Sequence, residues 1–360
     1  MRSSTLALLF AAVAPAQVFI VDAAGGPGSS FTSISAAVAS VPNGAVLQVR
    51  TGTYAPFAIN GKGLTILGLG GVEISGAPFA AVSISIAGTT PTQPVVLRDL
   101  HMRVPFGGFH RLFCTNCQGP VLLQRVSMDG FYGIYGTLAA QQCAQLFVDA
   151  CGPFRDNTAA SLDISGGSAV VSNTSVLLGW PALRANGSRV EVVDSALFGA
   201  PAIRLLGGTA RLAGQSTISG WGPAIGGTGT LFRDPGVAVS SSIEPGVTDL
   251  VAPQSRVVAT GGTLGTTANA ALSGPAGHFG VLFLGQPAAP VLIAGVTQAL
   301  WIDLAQPFAG VATGVLGTPL TATVAVPANP ALLGKQFLWQ GLTFDAVAGF
   351  GFSVPALFTP

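Results

Sequence analysis

Five side chains share one position in a repeating pattern, and together they could bind an acidic carbohydrate. Aligning Leu112, Ile134, Leu162, Leu183, Ile203 and Ile225 as inward residues gives an outward column of Phe113, Tyr135, Asp163, Arg184, Arg204 and Gly226. Aromatic faces stack on sugar rings, and guanidinium groups pair bidentately with carboxylates such as those of uronic acids. The pattern therefore predicts a binding surface made by the first five members of this column.

The same column has a plainer interpretation, as stacked aromatics beside an ion pair between Asp163 and Arg184. Outward residues on neighbouring strands touch whatever their function, and exposed ion pairs are common. A catalytic Asp163, with Arg184 and Arg204 holding the substrate, is the alternative. Glycoside hydrolysis needs two carboxylates within ~5 to 10 Å, so a second carboxylate near Asp163 would favour an enzyme.

Three glycine-led segments repeat almost unchanged and indicate the architecture that carries this column. They are Gly179-Trp180-Pro181-Ala182-Leu183-Arg184, Gly199-Ala200-Pro201-Ala202-Ile203-Arg204 and Gly220-Trp221-Gly222-Pro223-Ala224-Ile225. Self-similarity at a period of about 20 residues is typical of a solenoid, in which each repeat forms one coil stacked on the previous one.

A recurring Asp, Asn or Gly marks a bend between two strands of each coil, because these residues tolerate a left-handed backbone best. The predicted bend residues are Gly68, Asp99, Arg125, Asp149, Asn173, Asp194, Gly214 and Asp234. Before each bend lies an inward apolar pair, such as Val121 and Leu123 or Thr230 and Phe232, and the Pro-Ala units supply a third strand. The sequence thus predicts an all-β fold with a right-handed parallel β-helix of about eight coils.

A short helix is predicted at the open N-terminal end of this β-helix. Phe31, Ile34, Ala37 and Val38 recur at helical spacing between residues 31 and 41, and Ser33 or Ser35 can cap the start. Such a helix would cover the first coil and protect its edge.

The N-terminal segments resemble those of a known family. Phe31-Thr32-Ser33-Ile34, Gly52-Thr53-Tyr54 and Leu64-Thr65-Ile66-Leu67-Gly68 are similar to the opening of secreted pectin-lyase-like β-helix proteins, over roughly residues 18 to 250. That superfamily includes pectinesterases and pectate lyases, so the resemblance implies a β-helix with a substrate groove on its outer face. Their catalytic motifs are missing, however, since Trp301-Ile302-Asp303-Leu304 lacks the histidine of the Trp-Ile-Asp-His motif.

The repeat ends near Val251, and a second domain is predicted from there to the C-terminus. Short apolar runs separated by Gly and Pro, such as Val281-Leu282-Phe283-Leu284, are typical of an antiparallel β-sandwich. Trp339-Gln340-Gly341-Leu342 resembles part of a C-terminal β-domain in uncharacterised secreted bacterial proteins, which implies no activity. The predicted domains are residues 17–250 and 251–360, after a signal peptide at 1–16.

The signal peptide is predicted from Arg2, the apolar stretch from Leu6 to Val13, and Ala14-Pro15-Ala16, a cleavage motif. The protein is therefore expected to be secreted or held at the cell surface. No other apolar run reaches the ~18 residues of a membrane span. With 15 basic and 14 acidic residues the chain has no basic patch for nucleic acid. No cofactor or metal motif is present, and a monomer is expected.

Four cysteines lie close together in the chain, at Cys114, Cys117, Cys143 and Cys151. Half a zinc site is one interpretation of Cys114 and Cys117, but no second C-x-x-C unit completes it. In an exported chain disulfides are favoured. Cys117 and Cys143 each follow an equivalent bend residue by 18 residues. This spacing predicts a bond between them and leaves Cys114 to pair with Cys151.

The sequence favours an exported, non-catalytic protein acting in cell-surface structure, adhesion or glycan binding. Its expected partners are polysaccharide or other cell-envelope components. The alternative is a divergent polysaccharide lyase, esterase or hydrolase that uses the outer face around Asp163.

Overall fold

The computed structural model describes residues 16–77, 82–104, 110–130, 136–154, 159–294, 296, 298–346 and 349–360. These residues fold into two compact units, residues 17–251 and 252–360. The predicted fold class is confirmed: a parallel β-solenoid of about eight turns is followed by antiparallel sheets that resemble a sandwich.

The solenoid unit consists of three parallel sheets, and each coil contributes strands to them in turn. The first sheet contains Val18–Val21, Ala45–Val49, Leu64–Gly68, Val95–Arg98, Val121–Gln124, Leu146–Asp149, Ser168–Ser172, Arg189–Val193 and Val247–Val251. The second is divided into two four-stranded sheets, one of Gly52–Tyr54, Val72–Ser75, His101–Val104 and Ser127–Gly130, the other of Ser175–Gly179, Ala196–Gly199, Thr217–Gly220 and Ala238–Val239. The third contains Ala58–Asn60, Val82–Ala87, His110–Thr115, Gly136–Gln141, Leu162–Ser165 and Leu183–Asn186. Ile203–Ala213 and Ile225–Arg233 run from the third sheet into the first without a break.

The interior of the solenoid is built from inward side chains that stack in register. Val121, for example, lies between Val95 and Leu146, and all three are fully buried. The predicted inward pair Thr230 and Phe232 is wrong, because Leu231 pairs with the core residue Ala210 and is itself fully buried. The register shifts at the preceding glycines, and this shift moves the strand by one residue relative to the sequence pattern.

Five of the predicted bend residues adopt the left-handed conformation between the first and second sheets. They are Asp99, Arg125, Asn173, Asp194 and Gly214. The bulky Arg125 is held there by Asp99, which accepts hydrogen bonds from its Nε at 2.6 Å and its Nη2 at 2.8 Å. A charge-assisted bidentate pair of this kind offsets part of the backbone strain.

The other three bend predictions are wrong, each for a local reason. Asp149 pairs with Gln124, so the next residue, Ala150, is left-handed with φ 51°. Gly68 is not left-handed. A glycine is needed there because the backbone of the next coil lies so close that a Cβ would be 2.1 Å from the Asp99 carbonyl oxygen. Asp234 has no left-handed φ and accepts a hydrogen bond from the Gly236 amide.

A second column of left-handed residues, between the third and first sheets, was not predicted. Its members are Gly61, Gly88, Asn116, Gln142, Gly166, Gly187 and Gly207.

Ala150→Gly is expected to raise the free energy of unfolding by about 1 kcal/mol, because an L-residue in the left-handed region is strained and glycine is not. The Ala150 side chain is exposed, so little packing is lost. Urea denaturation would measure the change. Ala196→Gly, at an exposed strand position without a left-handed φ, is the matched control and should destabilise by about 0.5–1 kcal/mol. A loss of stability in both variants would contradict the prediction.

The predicted N-terminal helix is present and spans Ile34–Ser40. Ser33 caps it, since its side chain accepts a hydrogen bond from the Ala36 amide at 3.1 Å. Ile34, Ala37 and Val38 are buried in the same core as the solenoid interior. In the part of the chain that the structure describes, no helix is long and apolar enough to cross a membrane.

The strands of the C-terminal unit pair antiparallel, apart from one parallel bridge between Arg256 and Val354, and the unit has its own core around Phe337, Trp339 and Phe358. Its three-stranded sheet contains Arg256–Gly261, Thr267–Ser273 and Leu320–Ala325. A second sheet contains Phe279–Gly285, Ala309–Val315, Phe337–Asp345, Gly349–Phe352 and Ala356–Phe358, with Pro287–Leu292 and Ala299–Ile302 forming a separate hairpin. A short 3-10 helix, Pro330–Leu332, precedes the strand that carries Trp339.

Candidate functional site

The third sheet places four of the five predicted binding residues in one outward column. Strand pairing aligns Ser85, Phe113, Ala139, Asp163, Arg184, Arg204 and Gly226 in that order. The side chains just before them in each described strand are fully buried, as at Leu162 and Leu183. Alternation along each strand therefore turns the column toward solvent.

One predicted member of the column is replaced by another residue. Ile134 and Tyr135 lie outside the described residues. Leu138 pairs with Leu112 and Ala139 with Phe113, so these two hold the places that the sequence alignment gave to Ile134 and Tyr135. The neighbour of Phe113 toward Asp163 is thus a small side chain rather than an aromatic ring.

Asp163 and Arg184 form a bidentate ion pair. Arg184 Nε donates to Asp163 Oδ1 at 2.8 Å, and Nη2 donates to Oδ2. The carboxylate raises the pKa of the Arg184 guanidinium above its ordinary value. Both Asp163 oxygens are engaged, and because the pair is partly exposed its contribution to stability is small.

The nearest carboxylate further along the column is Glu244, and it lies far from Asp163. Glu244 Oε2 accepts a hydrogen bond from the Gly227 amide at 2.7 Å, and a Cβ on Gly226 would lie 2.9 Å from the Glu244 carboxyl carbon. Asp163 and Gly226 are separated by three strand spacings, about 14 Å. This exceeds the ~5 to 10 Å between the two carboxylates of a glycosidase.

Glu244 was missed by sequence reasoning, although a signal for it exists. Ile243 forms a bridge with Ile225 and is partly buried against the core. It follows Ile225 by 18 residues and so continues the inward series of Leu183 and Ile203. The glycines and serines between them hide this last coil from a period search.

Arg204 is the exposed cation of the column. It lies in register between Arg184, whose guanidinium binds Asp163, and Gly226, which has no side chain. Among the described residues no side chain forms an ion pair or hydrogen bond with it. A guanidinium has five N–H donors, so Arg204 can bind an anionic ligand bidentately.

Two exposed tryptophans lie on the turns that lead into these strands. Trp180 and Trp221 are 58% and 59% exposed, and Ala200 holds the equivalent turn position between them. The glycine before each is required, since a Cβ on Gly179 or Gly220 would lie 2.3 or 2.2 Å from backbone atoms. Two strand spacings separate the tryptophans, about 10 Å. We call Trp180, Arg184, Arg204 and Trp221 the Trp–Arg face.

A second, polar row runs beside the column on the same sheet. Its members, two residues further along each strand, are Thr115, Gln141, Ser165 and Asn186. Asn186 Nδ2 donates to Ser165 Oγ at 3.2 Å. Hydroxyl and amide groups in this spacing can donate to and accept from sugar hydroxyls.

No protein-family model and no curated protein matches this chain. The resemblance to pectin-lyase-like proteins therefore stays a prediction from the N-terminal segments quoted above.

The predicted disulfides are wrong: all four cysteines are free and buried, and none is at disulfide distance from another. Cys117 and Cys143 do lie in adjacent coils, where the Ala144 amide donates to the Cys117 carbonyl at 2.8 Å. Both residues lie in the turns between strands, where successive coils stack about 4.8 Å apart, whereas a disulfide needs converging Cβ atoms about 3.8 Å apart.

The cysteines instead take part in internal rows of hydrogen bonds. The contact between the Cys117 and Cys143 thiols lowers the pKa of Cys117 and, with burial, raises the pKa of Cys143. Cys151 Sγ accepts from the Val126 amide at 3.3 Å, in the way that Thr174 Oγ1 accepts from the Cys151 amide in the next coil. Within the described residues no cluster of three or more His, Cys, Asp or Glu side chains could hold a metal ion.

Proposed function

We propose that this protein is an exported, non-catalytic β-helix protein that binds an acidic polysaccharide at the cell surface through its Trp–Arg face. The observation that carries the proposal is Arg204, an exposed guanidinium without a protein partner among the described residues. Exported location, a monomeric state and a remote relation to the pectin-lyase-like superfamily belong to the proposal. They are supported by the N-terminal signal pattern and by the quoted segments.

The ligand class follows from the chemistry of the face. Arg204 suits a carboxylate or sulfate, which it can bind through two N–H groups. Trp180 and Trp221 suit the apolar faces of sugar rings. The repeat of one coil places these groups at regular intervals, so that a polymer can contact several of them at once. A charged, ring-containing polymer satisfies all three features.

The non-catalytic role is proposed because the column lacks the groups that bond cleavage would use. Asp163 has both oxygens bound by Arg184. Glu244 accepts a hydrogen bond from the Gly227 amide. It belongs to the coil after Gly226, and Gly226 is itself three strand spacings from Asp163. No side chain in the column is thus placed as an acid opposite a second carboxylate.

Arg204→Gln is expected to weaken binding of polygalacturonate at least about ten-fold, because a charge-assisted hydrogen bond contributes ~1.5–3 kcal/mol. Isothermal titration of the mature chain against polygalacturonate and a neutral β-glucan would measure it. Binding of the acidic polymer should fall with added salt.

Arg103→Gln is the matched control, since Arg103 is an exposed arginine of the second sheet that contacts Glu73. It should change binding less than two-fold, because rim charges far from a ligand contribute little. Equal losses of affinity in both variants would contradict the proposal that the Trp–Arg face binds the polymer. Release of unsaturated or reducing ends from the polymer would instead support an enzyme.

A further inference from the structure

The C-terminal unit contains an apolar cavity that the proposed glycan binding does not use. Its volume is about 220 Å³, and its lining includes Phe283, Ile293, Leu304, Phe308, Leu342 and Phe352. These residues come from the second sheet of this unit, from its separate hairpin and from the segments that flank that hairpin.

Among its described lining residues the cavity has a single polar side chain, that of the buried Gln340. The Gln340 side-chain oxygen accepts from the Trp301 amide at 2.9 Å. The Gln340 amide nitrogen donates to the carbonyls of Ala299 at 2.8 Å and Ser353 at 3.1 Å. Both N–H donors are therefore used and the oxygen already accepts one hydrogen bond, so this side chain offers water at most one more, fewer than the two to four that a buried water needs.

The size of the cavity and its mouth indicate an elongated apolar ligand. An apolar cavity of about 150 Å³ stays dry and accommodates benzene, so this one is larger than a single ring needs. Apolar surface continues at its mouth, because the lining residues Ile293 and Leu304 are 42% and 61% exposed, and Val291, two residues before Ile293 and so on the same face, is 56% exposed. A ring held inside would leave this strip bare, whereas a chain would cover it as it leaves the cavity.

We propose that this cavity binds the end of an alkyl or acyl chain, and that the rest of the chain lies along Val291, Ile293 and Leu304. The head group remains in water, since the cavity offers it no partner. The ligand class is a straight-chain amphiphile such as a medium-chain alkanoate or alkanol.

Titration of the full-length mature protein with alkanoates and alkanols of six to twelve carbons, below their micelle concentrations, tests the proposal. Affinity should rise about four-fold with each added methylene. An alkanoate and an alkanol of equal length should bind alike. Toluene, which fits the cavity but not the strip, should bind more weakly than decanol.

Two variants and a control locate the site. Leu342→Trp fills the cavity and should weaken decanol binding more than ten-fold. Val291→Ser, at an exposed position outside the cavity lining, should weaken twelve-carbon ligands and leave six-carbon ligands unchanged. Val315→Trp, at a 69% exposed position elsewhere in the unit, should have no effect.

Several outcomes would overturn the proposal. They are affinity independent of chain length, toluene binding as tightly as decanol, equal effects of Leu342→Trp and Val315→Trp, or self-association that Val291→Ser abolishes without any ligand binding. None of these depends on the Trp–Arg face, so a failure here leaves the glycan proposal untouched.

Discussion

Replacing Gly167 with alanine is expected to lower the free energy of unfolding of the solenoid by about 3 kcal/mol. A Cβ at this position would lie 2.0 Å from the Cys143 carbonyl oxygen in the preceding coil. That oxygen accepts a hydrogen bond from the Ser168 amide at 3.1 Å. The methyl group must therefore push two coils apart, and no flexible side chain is there to yield.

The neighbouring glycine provides the control, because it is required for a different reason. Gly166 has a left-handed φ of +62°, but a Cβ there would meet only Gln142 Cγ at 3.7 Å. Gly166→Ala should therefore cost about 1 kcal/mol, from backbone strain alone. Chemical denaturation of the two variants and the parent compares them directly. Equal losses would show that the close contact at Gly167 is not what limits the stacking of coils.

Replacing Ile34 with aspartate is expected to cost about 3–5 kcal/mol, since it leaves an unpaired charge in the core. Ile34 is 1% exposed and belongs to the first turn of the helix that packs against the initial coil. Loss of this helix would expose strand edges and apolar side chains at the end of the solenoid, which are sites for association between chains. Thermal unfolding and light scattering would detect both effects.

Ala36→Asp is the matched control on the solvent face of the same helix. Ala36 is exposed and lies in the first turn, where a negative charge interacts favourably with the helix dipole. The variant should remain monodisperse and equally or slightly more stable. Aggregation of Ala36→Asp to the same extent would show that added charge, rather than loss of the cap, causes association.

The parts of the fold that repeat could be predicted, and the parts that depend on close contacts could not. The period of the Gly-x-Pro-Ala segments reveals the coils because Leu183 and Ile203 must lie in equivalent places to share one core. The position of a bend is harder to predict from the sequence. Asp149 and Ala150 are adjacent, and only strand register decides which of them adopts the left-handed conformation. Composition favours the aspartate, but pairing with Gln124 places the alanine at the bend.

The candidate site likewise contains residues that could be predicted from the sequence and residues that could not. Arg184 and Arg204 were predicted to share a column because their segments repeat, and strand pairing aligns them. Glu244 was missed because its part of the last coil pairs with Ile225 through a single bridge at Ile243 rather than through a strand. The cysteine prediction took proximity as sufficient for a bond. Parallel stacking brings Cys117 and Cys143 together but holds their side chains side by side.

In-register stacking also has a mechanical consequence. Each coil bonds to the coils before and after it, so a pulling force along the axis acts on one pair of coils at a time. A coil of about 20 residues that peels away adds ~70 Å of extended chain. The solenoid would therefore lengthen under load in steps and dissipate work at each one, while the coils around Arg204 stay folded until the peeling front reaches them.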